Sequence, residues 1–274
     1  MSSKLLETPR ALLNVTRRIA IEAGAIALSH FDDTGYVGAE HKEDGSPVTV
    51  ADRETEEFIE RALHETLPTI PVIGEEAASS GTLPDAADGD FWLVDPIDGT
   101  KEFVAGSPDF TVNIALIRNG IPIIGVVYAP ALGELYAGLN TENDKLAVRW
   151  LEETDKEKEI RVRRPEAAGL HVITGRRHKI GPKLESFLTD FKVAKLTQRG
   201  SSIKLCMIAC GKADLYPQFG QTCQWDTAAG HAVLSAAGGC LTHLDGKSLG
   251  YGLSDVTFCN LEFVAAGFEW FEAS

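Results

Sequence analysis

Basic residues are scarce in this chain: Lys and Arg total 26 against 40 Asp and Glu, a formal net charge of −14. A surface that acidic repels a phosphate backbone, which argues against general nucleic-acid binding. A small anionic ligand stays admissible, because a bound divalent cation reverses the local sign. Long apolar runs are missing too. The longest stretch without Asp, Glu, Lys or Arg runs from Thr227 to Leu244; it is Gly-rich, contains His231 and His243, and is too polar for a membrane span. The opening MSSKLLETPR has no apolar segment of the kind a secretory leader carries. Cysteine is sparse and odd in number, 5 in all, with no paired spacing. That pattern predicts a reducing, cytoplasmic setting and no disulfide framework. Internal repeats and low-complexity tracts are absent as well.

The rest of the composition is that of a globular protein, with 44% apolar and 24% charged residues in 274. It argues against disorder, collagen and coiled coil. At roughly 100–200 residues per domain, the length suggests one large domain or two modest ones. Thr8-Pro9 opens a helix with apolar residues at helical spacing to about His30. A second helix is expected from near Asp52 until Pro68 stops it. Pro71 to Gly74 and Phe91 to Asp95 read as short strands, and Phe110 to Arg118 alternates. Asn119-Gly120 is a two-residue hairpin turn, with Ile121 to Tyr128 returning and Leu135 to Leu139 adding another strand. The run EETDKEKE, Glu152 to Glu159, reads as an exposed loop tip, so the boundary falls there: residues 1–155 and 156–274. Beyond it, strands at Ile160–Arg163, His171–Thr174 and Val193–Leu196 alternate with helices at Pro182–Phe191, Ser202–Cys210 and Trp225–Ala237. The class is α/β, mixed α+β.

Four acidic pieces stand out: Asp52, then Gly74-Glu75-Glu76, Asp95-Pro96-Ile97-Asp98-Gly99-Thr100, and Trp225-Asp226. The early ones fall at strand ends or helix starts, where rigidly aimed groups are exposed. Asp95 leaves a very apolar strand; a turn at Pro96 and the freedom of Gly99 can aim Asp95, the Ile97 carbonyl and Asp98 at one point. At 4 Å two like charges repel by about 1 kcal/mol in water and about 4 kcal/mol near a protein surface, so converging carboxylates need a cation. The candidate ligands are all oxygens, which favours Mg²⁺ over Zn²⁺ or Cu²⁺. Each piece alone is more often a solvated pair, a turn or a helix start, and only convergence in space makes a metal site.

GEE, DPIDGTKEF and WDTAAG, in that order, resemble the inositol-monophosphatase-like superfamily of Mg²⁺-dependent, lithium-sensitive sugar phosphatases. Within it, GSSIK at Gly200–Lys204 and YPQFG at Tyr216–Gly220 are similar to the 3′(2′),5′-bisphosphate nucleotidases. The resemblance implies an αβαβα layered sandwich with the site in a cleft between two subdomains. It implies two or three Mg²⁺ ions held by Glu75, Asp95, the Ile97 carbonyl, Asp98 and Asp226, with Thr100 backed by Asp52 acting on a water. The implied reaction is hydrolysis of adenosine 3′,5′-bisphosphate to AMP and phosphate. The substrate contacts it implies are Gly99, Thr100, Arg176, His178, Gly200, Ser201, Lys204 and Gln218. Gly175 departs from the pattern, since the family usually has a hydroxyl residue there.

The second half supplies cations: Gly175-Arg176-Arg177-His178 follows a strand, and Lys204 starts a helix whose first N–H groups lie at Gly200-Ser201-Ser202. A helix N-terminus with a Lys is an anion site, so Lys204 and these serines are expected to hold the 5′-phosphate, away from the reacting 3′-phosphate. Gln218 stands where inositol phosphatases carry Glu, and an uncharged amide suits a doubly phosphorylated ligand. The alternatives are an inositol or fructose phosphatase on the same scaffold, or a metal-binding regulator without turnover. Cys206, Cys210 and His231 read as core residues.

Overall fold

The computed structural model describes residues 5–35, 38–41, 47–81, 89–176, 181–252 and 258–270. Its helices are α1 (Pro9–Ser29), α2 (Val50–Thr66), α3 (Glu75–Ser79), α4 (Thr100–Val104), α5 (Pro182–Leu188), α6 (Ile203–Ala209) and α7 (Gln224–Ala236). The strands of the two main sheets are β1 (Val72–Gly74), β2 (Phe91–Asp98), β3 (Thr111–Arg118), β4 (Ile121–Ala129), β5 (Glu134–Asn140), β6 (Lys145–Leu151), β7 (Lys156–Glu159), β8 (Leu170–Gly175), β9 (Val193–Arg199), β10 (Leu215–Gln218), β11 (Cys240–His243) and β12 (Phe263–Ala266). The first sheet has seven strands in sequential order β1 to β7, antiparallel except for the β1–β2 pair. The second has five, in the order β9-β8-β10-β12-β11, with β9, β8 and β10 parallel.

Period-2 alternation builds the layers. Along β2, Trp92 and Val94 face α1 and α2, packing with Leu12, Leu13, Ile19, Ile59 and Leu63. Phe91 and Leu93 face the other way, into a core shared with α6, α7 and the near side of the second sheet. The far side of that sheet packs Leu170, Val172, Leu215 and Val264 against Phe187 and Leu188 of α5. The result is helices, sheet, helices, sheet, helix: the αβαβα sandwich. Because both faces of the first sheet are covered, β3 is buried through seven of its eight residues despite its alternating sequence. Helix α7 lies directly on β4 and β5, since a Cβ on Gly125 would meet the Ala229 carbonyl at 2.2 Å and one on Gly138 the Val233 Cα at 2.5 Å. That contact sets the middle of α7 close against the middle of β4 and β5.

The hairpin turn has φ of 51° at Asn119 and 74° at Gly120, as a two-residue turn requires. Helix α2 starts at Val50, two residues ahead of expectation, because Thr49 is its N-cap and Asp52 its third residue. Three expectations are corrected. The EETDKEKE run is not a loop tip: Glu152–Thr154 is a short turn and Lys156–Glu159 is the exposed edge strand of the first sheet. Alternating charge on an edge hides the strand from a solubility-based reading and protects it from unwanted pairing. Ile160–Arg163 is not a strand. Pro96 sits inside β2, not in a turn, at a bulge that needs no N–H from it. A division near residue 155 would fall inside the β6–β7 hairpin, and we place the proposed boundary after Glu159.

Candidate active site

The bulge in β2 explains how two aspartates three residues apart share a face. Asp95 pairs with Asn113 and Asp98 with Thr111, so β2 spends three steps where β3 spends two. In a regular strand residues i and i+3 point to opposite faces; one extra residue returns them to the same one. Asp95 accepts the Ile97 N–H at 3.0 Å, which fixes its carboxylate over the bulge. The Ile97 side chain is 1% exposed and anchors in a cluster with Phe103 and Phe110, which stack with Phe31. Gly99 then turns the chain into α4 with φ of +95°, a conformation that side chains resist. Asp226 arrives from the start of α7, where its Oδ2 accepts the Cys223 N–H at 2.8 Å.

These placements converge. One oxygen from each of Asp95, Asp98 and Asp226 lies within 4.8 Å of the others. Glu75, the first residue of α3, is outside that tight set but close enough for its charge to raise the pKa of both Asp95 and Asp226. Burial pushes the Asp95 and Asp226 carboxyls well above the usual range, and neighbouring carboxylates push them further. Asp98 is also raised by burial, but Lys204 and the Ser202 N–H pull the other way. An all-oxygen donor set under mutual repulsion fits a hard divalent cation such as Mg²⁺.

Beside the cluster, Thr100 Oγ1 lies 3.3 Å from Asp52 Oδ1 and 3.1 Å from the Ile97 carbonyl, with its hydroxyl as donor. Asp52 is 2% exposed, and its Oδ2 accepts the Thr49 N–H and hydroxyl, each at 2.7 Å. The same capping geometry therefore aims both Asp52 and Asp226.

Asp98, Gly99, Arg176, Gly200, Ser201, Lys204, Gln218 and Asp226 line one cavity of about 230 Å³. His178 lies outside the described residues. Lys204 is 7% exposed; its ammonium donates to the Ser201 carbonyl and lies 5.2 Å from the centre of the Tyr216 ring. Its charge faces Asp98, Glu102 and Asp226, so it sits beside the acidic cluster and not apart from it. The Ser202 N–H donates to Asp98, so that donor is already engaged. Ser201 holds a left-handed φ of 49°, a strained turn that presents these groups. The Gln218 amide accepts from the Tyr216 hydroxyl at 3.0 Å and donates to the Gly220 carbonyl at 3.2 Å.

Sequence reasoning passed over Arg199, Glu102 and Glu56. The first two line the cavity wall, and Arg199 was hidden at the end of an ordinary-looking strand. Glu56 is 4% exposed and accepts the Glu76 N–H at 2.9 Å and the Ala77 N–H at 2.7 Å, holding the start of α3 and so Glu75. Gly74 makes room for it, since a Cβ there would lie 2.3 Å from the Glu56 carboxyl carbon. Burial pushes the Glu56 carboxyl up to about 8. The native state thus binds more protons than the unfolded chain, and the associated stability, complete below about 4.5, is lost as pH rises through about 8. Asp95 and Asp226 act in the same sense. In EDTA, denaturation of Glu56→Gln across that window should show a shallower loss than the parent; an unchanged slope would assign the titration elsewhere.

The chain belongs to the inositol monophosphatase family, whose profile matches residues 9–269. Among curated proteins it is similar to the 3′(2′),5′-bisphosphate nucleotidase CysQ of Buchnera aphidicola, 38% identical over 94% of this chain and 94% of that one. The CysQ of Escherichia coli K12 is 39% identical over 88% of this chain and 94% of its own. Among solved structures, CysQ from Bacteroides thetaiotaomicron superposes with a TM-score of 0.74 at 31% identity, covering 94% of this chain and 98% of that one.

Proposed function

We propose that this chain is a Mg²⁺-dependent phosphatase that removes the 3′-phosphate of adenosine 3′,5′-bisphosphate, giving AMP and phosphate. The observation that carries the reading is a cavity of two signs. Asp98 and Asp226 line one part of it, and Arg176 and Arg199 another. A substrate with two separate phosphates matches both: one meets cations at the carboxylates, the other meets guanidinium groups. Relatives at 38% and 39% identity that carry the bisphosphate nucleotidase name support the same choice.

Asp95, Asp98, Asp226, Glu75 and the Ile97 carbonyl would hold the metal. When bound, Mg²⁺ supplies positive charge against the phosphate oxygens and makes a coordinated water more acidic. The chain's own residues do the rest. Thr100 Oγ1 orients the attacking water and takes its proton while its own hydroxyl proton moves to Asp52 Oδ1, 3.3 Å away. The water oxygen bonds to phosphorus, the ester P–O bond breaks, the departing 3′-oxygen takes up a proton from solvent water, and the proton held by Asp52 returns to solvent. Thr49 holds the other Asp52 oxygen, which keeps Oδ1 turned toward Thr100. Lys204 offsets the Asp98 charge and keeps the cluster from repelling the substrate.

The test is phosphate release from adenosine 3′,5′-bisphosphate, inositol 1-phosphate and fructose 1,6-bisphosphate, each with Mg²⁺ and with EDTA. The bisphosphate nucleotide should be the best substrate and EDTA should stop turnover. Lithium inhibition is expected from the family's behaviour. A preference for inositol 1-phosphate would overturn the substrate, and equal rates in EDTA would overturn the metal role. No turnover of any substrate, with Mg²⁺ still bound, would favour a regulator.

A further inference from the structure

Just before Asp226 the chain forms a two-stranded ribbon that belongs to neither main sheet: Thr222–Cys223 pairs antiparallel with Cys259–Asn260. Cys223 and Cys259 are register partners in it. The Gln224 N–H donates to the Phe258 carbonyl at 2.8 Å, so the two cysteines face each other between hydrogen bonds, where facing side chains come closest. Cα atoms in such pairs stand about 4.5 Å apart, within the roughly 4.4–6.8 Å that a disulfide spans. The thiols are in hydrogen-bond contact, the Cys223 S–H donating to the Cys259 sulfur. That sulfur also accepts from the Gln221 amide at 3.1 Å. Both strands are pinned. Asn260 Nδ2 donates to the Cys223 carbonyl at 2.6 Å, and Phe258, 2% exposed, packs on Trp225 with ring centres 5.4 Å apart. Phe258 holds a left-handed φ of 51°, a strained conformation for an aromatic residue, and so turns Cys259 toward its partner.

The place of this pair gives it a consequence. Cys223 is the N-cap of α7 and shares a capping box with Asp226: its sulfur faces the Asp226 N–H, and the Asp226 carboxylate accepts the Cys223 N–H. Gln221 and Thr222 line the cavity together with Asp226. Resting on the metal-site reading above, we propose that Cys223 and Cys259 are a thiol modification site: an oxidised low-molecular-weight thiol such as glutathione disulfide joins them in a disulfide that weakens Mg²⁺ binding at Asp226. The Cys259 sulfur attacks one sulfur of glutathione disulfide, whose S–S bond breaks; one glutathione leaves with the Cys259 proton and a mixed disulfide remains. The Cys223 sulfur then attacks the Cys259 sulfur and releases the second glutathione, which takes the Cys223 proton. The protein gives up two electrons and two protons, and glutathione disulfide takes up both as two thiols. Drawing the Cys223 sulfur to bonding distance of Cys259 removes it from the Asp226 N–H and turns the cap that aims the carboxylate. Both cysteines are only half-buried, so excess thiol reaches the bond and reverses it.

The experiment incubates the parent, Cys259→Ser and Cys210→Ser in EDTA with reduced or oxidised glutathione. Peptide mass spectrometry should find Cys223 joined to Cys259 in the oxidised parent and in oxidised Cys210→Ser. Thermal unfolding against added Mg²⁺ should show that the oxidised parent needs about 10–100-fold more Mg²⁺ for the same stabilisation, the scale for losing a group that orients a metal ligand. Phosphate release from adenosine 3′,5′-bisphosphate should shift to higher Mg²⁺ by a similar factor, and dithiothreitol should restore both. Cys259→Ser keeps an acceptor for Gln221, so the reduced variant should match the parent, and glutathione disulfide should leave its Mg²⁺ response unchanged. No Cys223–Cys259 link in the parent under excess glutathione disulfide would overturn the inference, whether or not the variants fold. A link that left the Mg²⁺ response intact would overturn it as well, and so would an oxidised Cys259→Ser that lost its response. A reduced parent that Mg²⁺ stabilises but that ignores the bisphosphate would bring down the nucleotidase reading alone.

Discussion

Asp95→Asn should yield a folded protein that has lost turnover, has lost stabilisation by Mg²⁺, and is more stable than the parent in EDTA. Asp95 is 1% exposed, and burial, Glu75, Asp98, Asp226 and Asp52 all disfavour its charge. No cation appears among its main influences, whereas Asp98 has Lys204 and the Ser202 N–H beside it. Asparagine keeps an oxygen for the Ile97 N–H and removes only the repulsion. Changing Asp98 instead would strip the counter-charge from buried Lys204, so Asp95 is the cleaner test. The stability gain should be largest at high pH and fade as pH falls through the raised Asp95 pKa, where the parent carboxyl is itself neutral. With Mg²⁺ at 100 times its dissociation constant, the parent should gain about 2.7 kcal/mol and the variant far less. Activity should fall on the order of 10³-fold, the scale for losing one strong electrostatic contributor. Thermal unfolding with and without Mg²⁺, alongside phosphate release, reads all three effects. A variant that kept its Mg²⁺ stabilisation would remove Asp95 from the ligand set.

The acidic cluster was legible because each of its members carries a local signal. Asp95 and Asp98 lie on either side of a Pro at the end of an apolar strand, and Asp226 follows a Trp at a helix start. The bulge that makes Asp95 and Asp98 neighbours was not legible. It depends on β2 taking three residues against two of β3, a register set by pairing and not by either strand alone. β6, β10, β11 and β12 escaped notice for a related reason: they are short or partly polar, and burial comes from neighbours far away in the chain. The edge strand β7 reads KEKE and is exposed throughout, so no apolar pattern could announce it. Lys204 was found by motif, but its burial against Asp98 belongs to tertiary packing. Arg199 and Asp109 are 90 residues apart in sequence and meet only because α/β topology brings two strand ends over the loop before β3. Local reading finds groups that act near their own position, and misses charges whose role is set by a distant partner.

Thr100→Ala should lower kcat by roughly 10²–10⁴-fold, the range for losing general acid–base assistance, with KM for the bisphosphate nearly unchanged. Its hydroxyl acts on the water and not on the nucleotide, so binding should survive its removal. The geometry gives that hydroxyl two acceptors, Asp52 Oδ1 at 3.3 Å and the Ile97 carbonyl at 3.1 Å, but one proton to share between them. Only a proton directed to Asp52 leaves the threonine oxygen able to accept from water, which makes Asp52 the partner that matters for rate. Asp52→Asn should therefore cost a similar factor, and the double variant little more than either single one, because the two act as a unit. Thr100→Ser keeps the hydroxyl and should retain most of the activity. The fold is insensitive to these changes at Thr100, since Gly99 sets the turn into α4 and Ile97 and Phe103 supply its buried anchors. Steady-state kinetics of the four variants, with circular dichroism to confirm folding, decide the point. A rise in KM with kcat intact would make Thr100 a substrate contact, and additive losses in the double variant would separate it from Asp52.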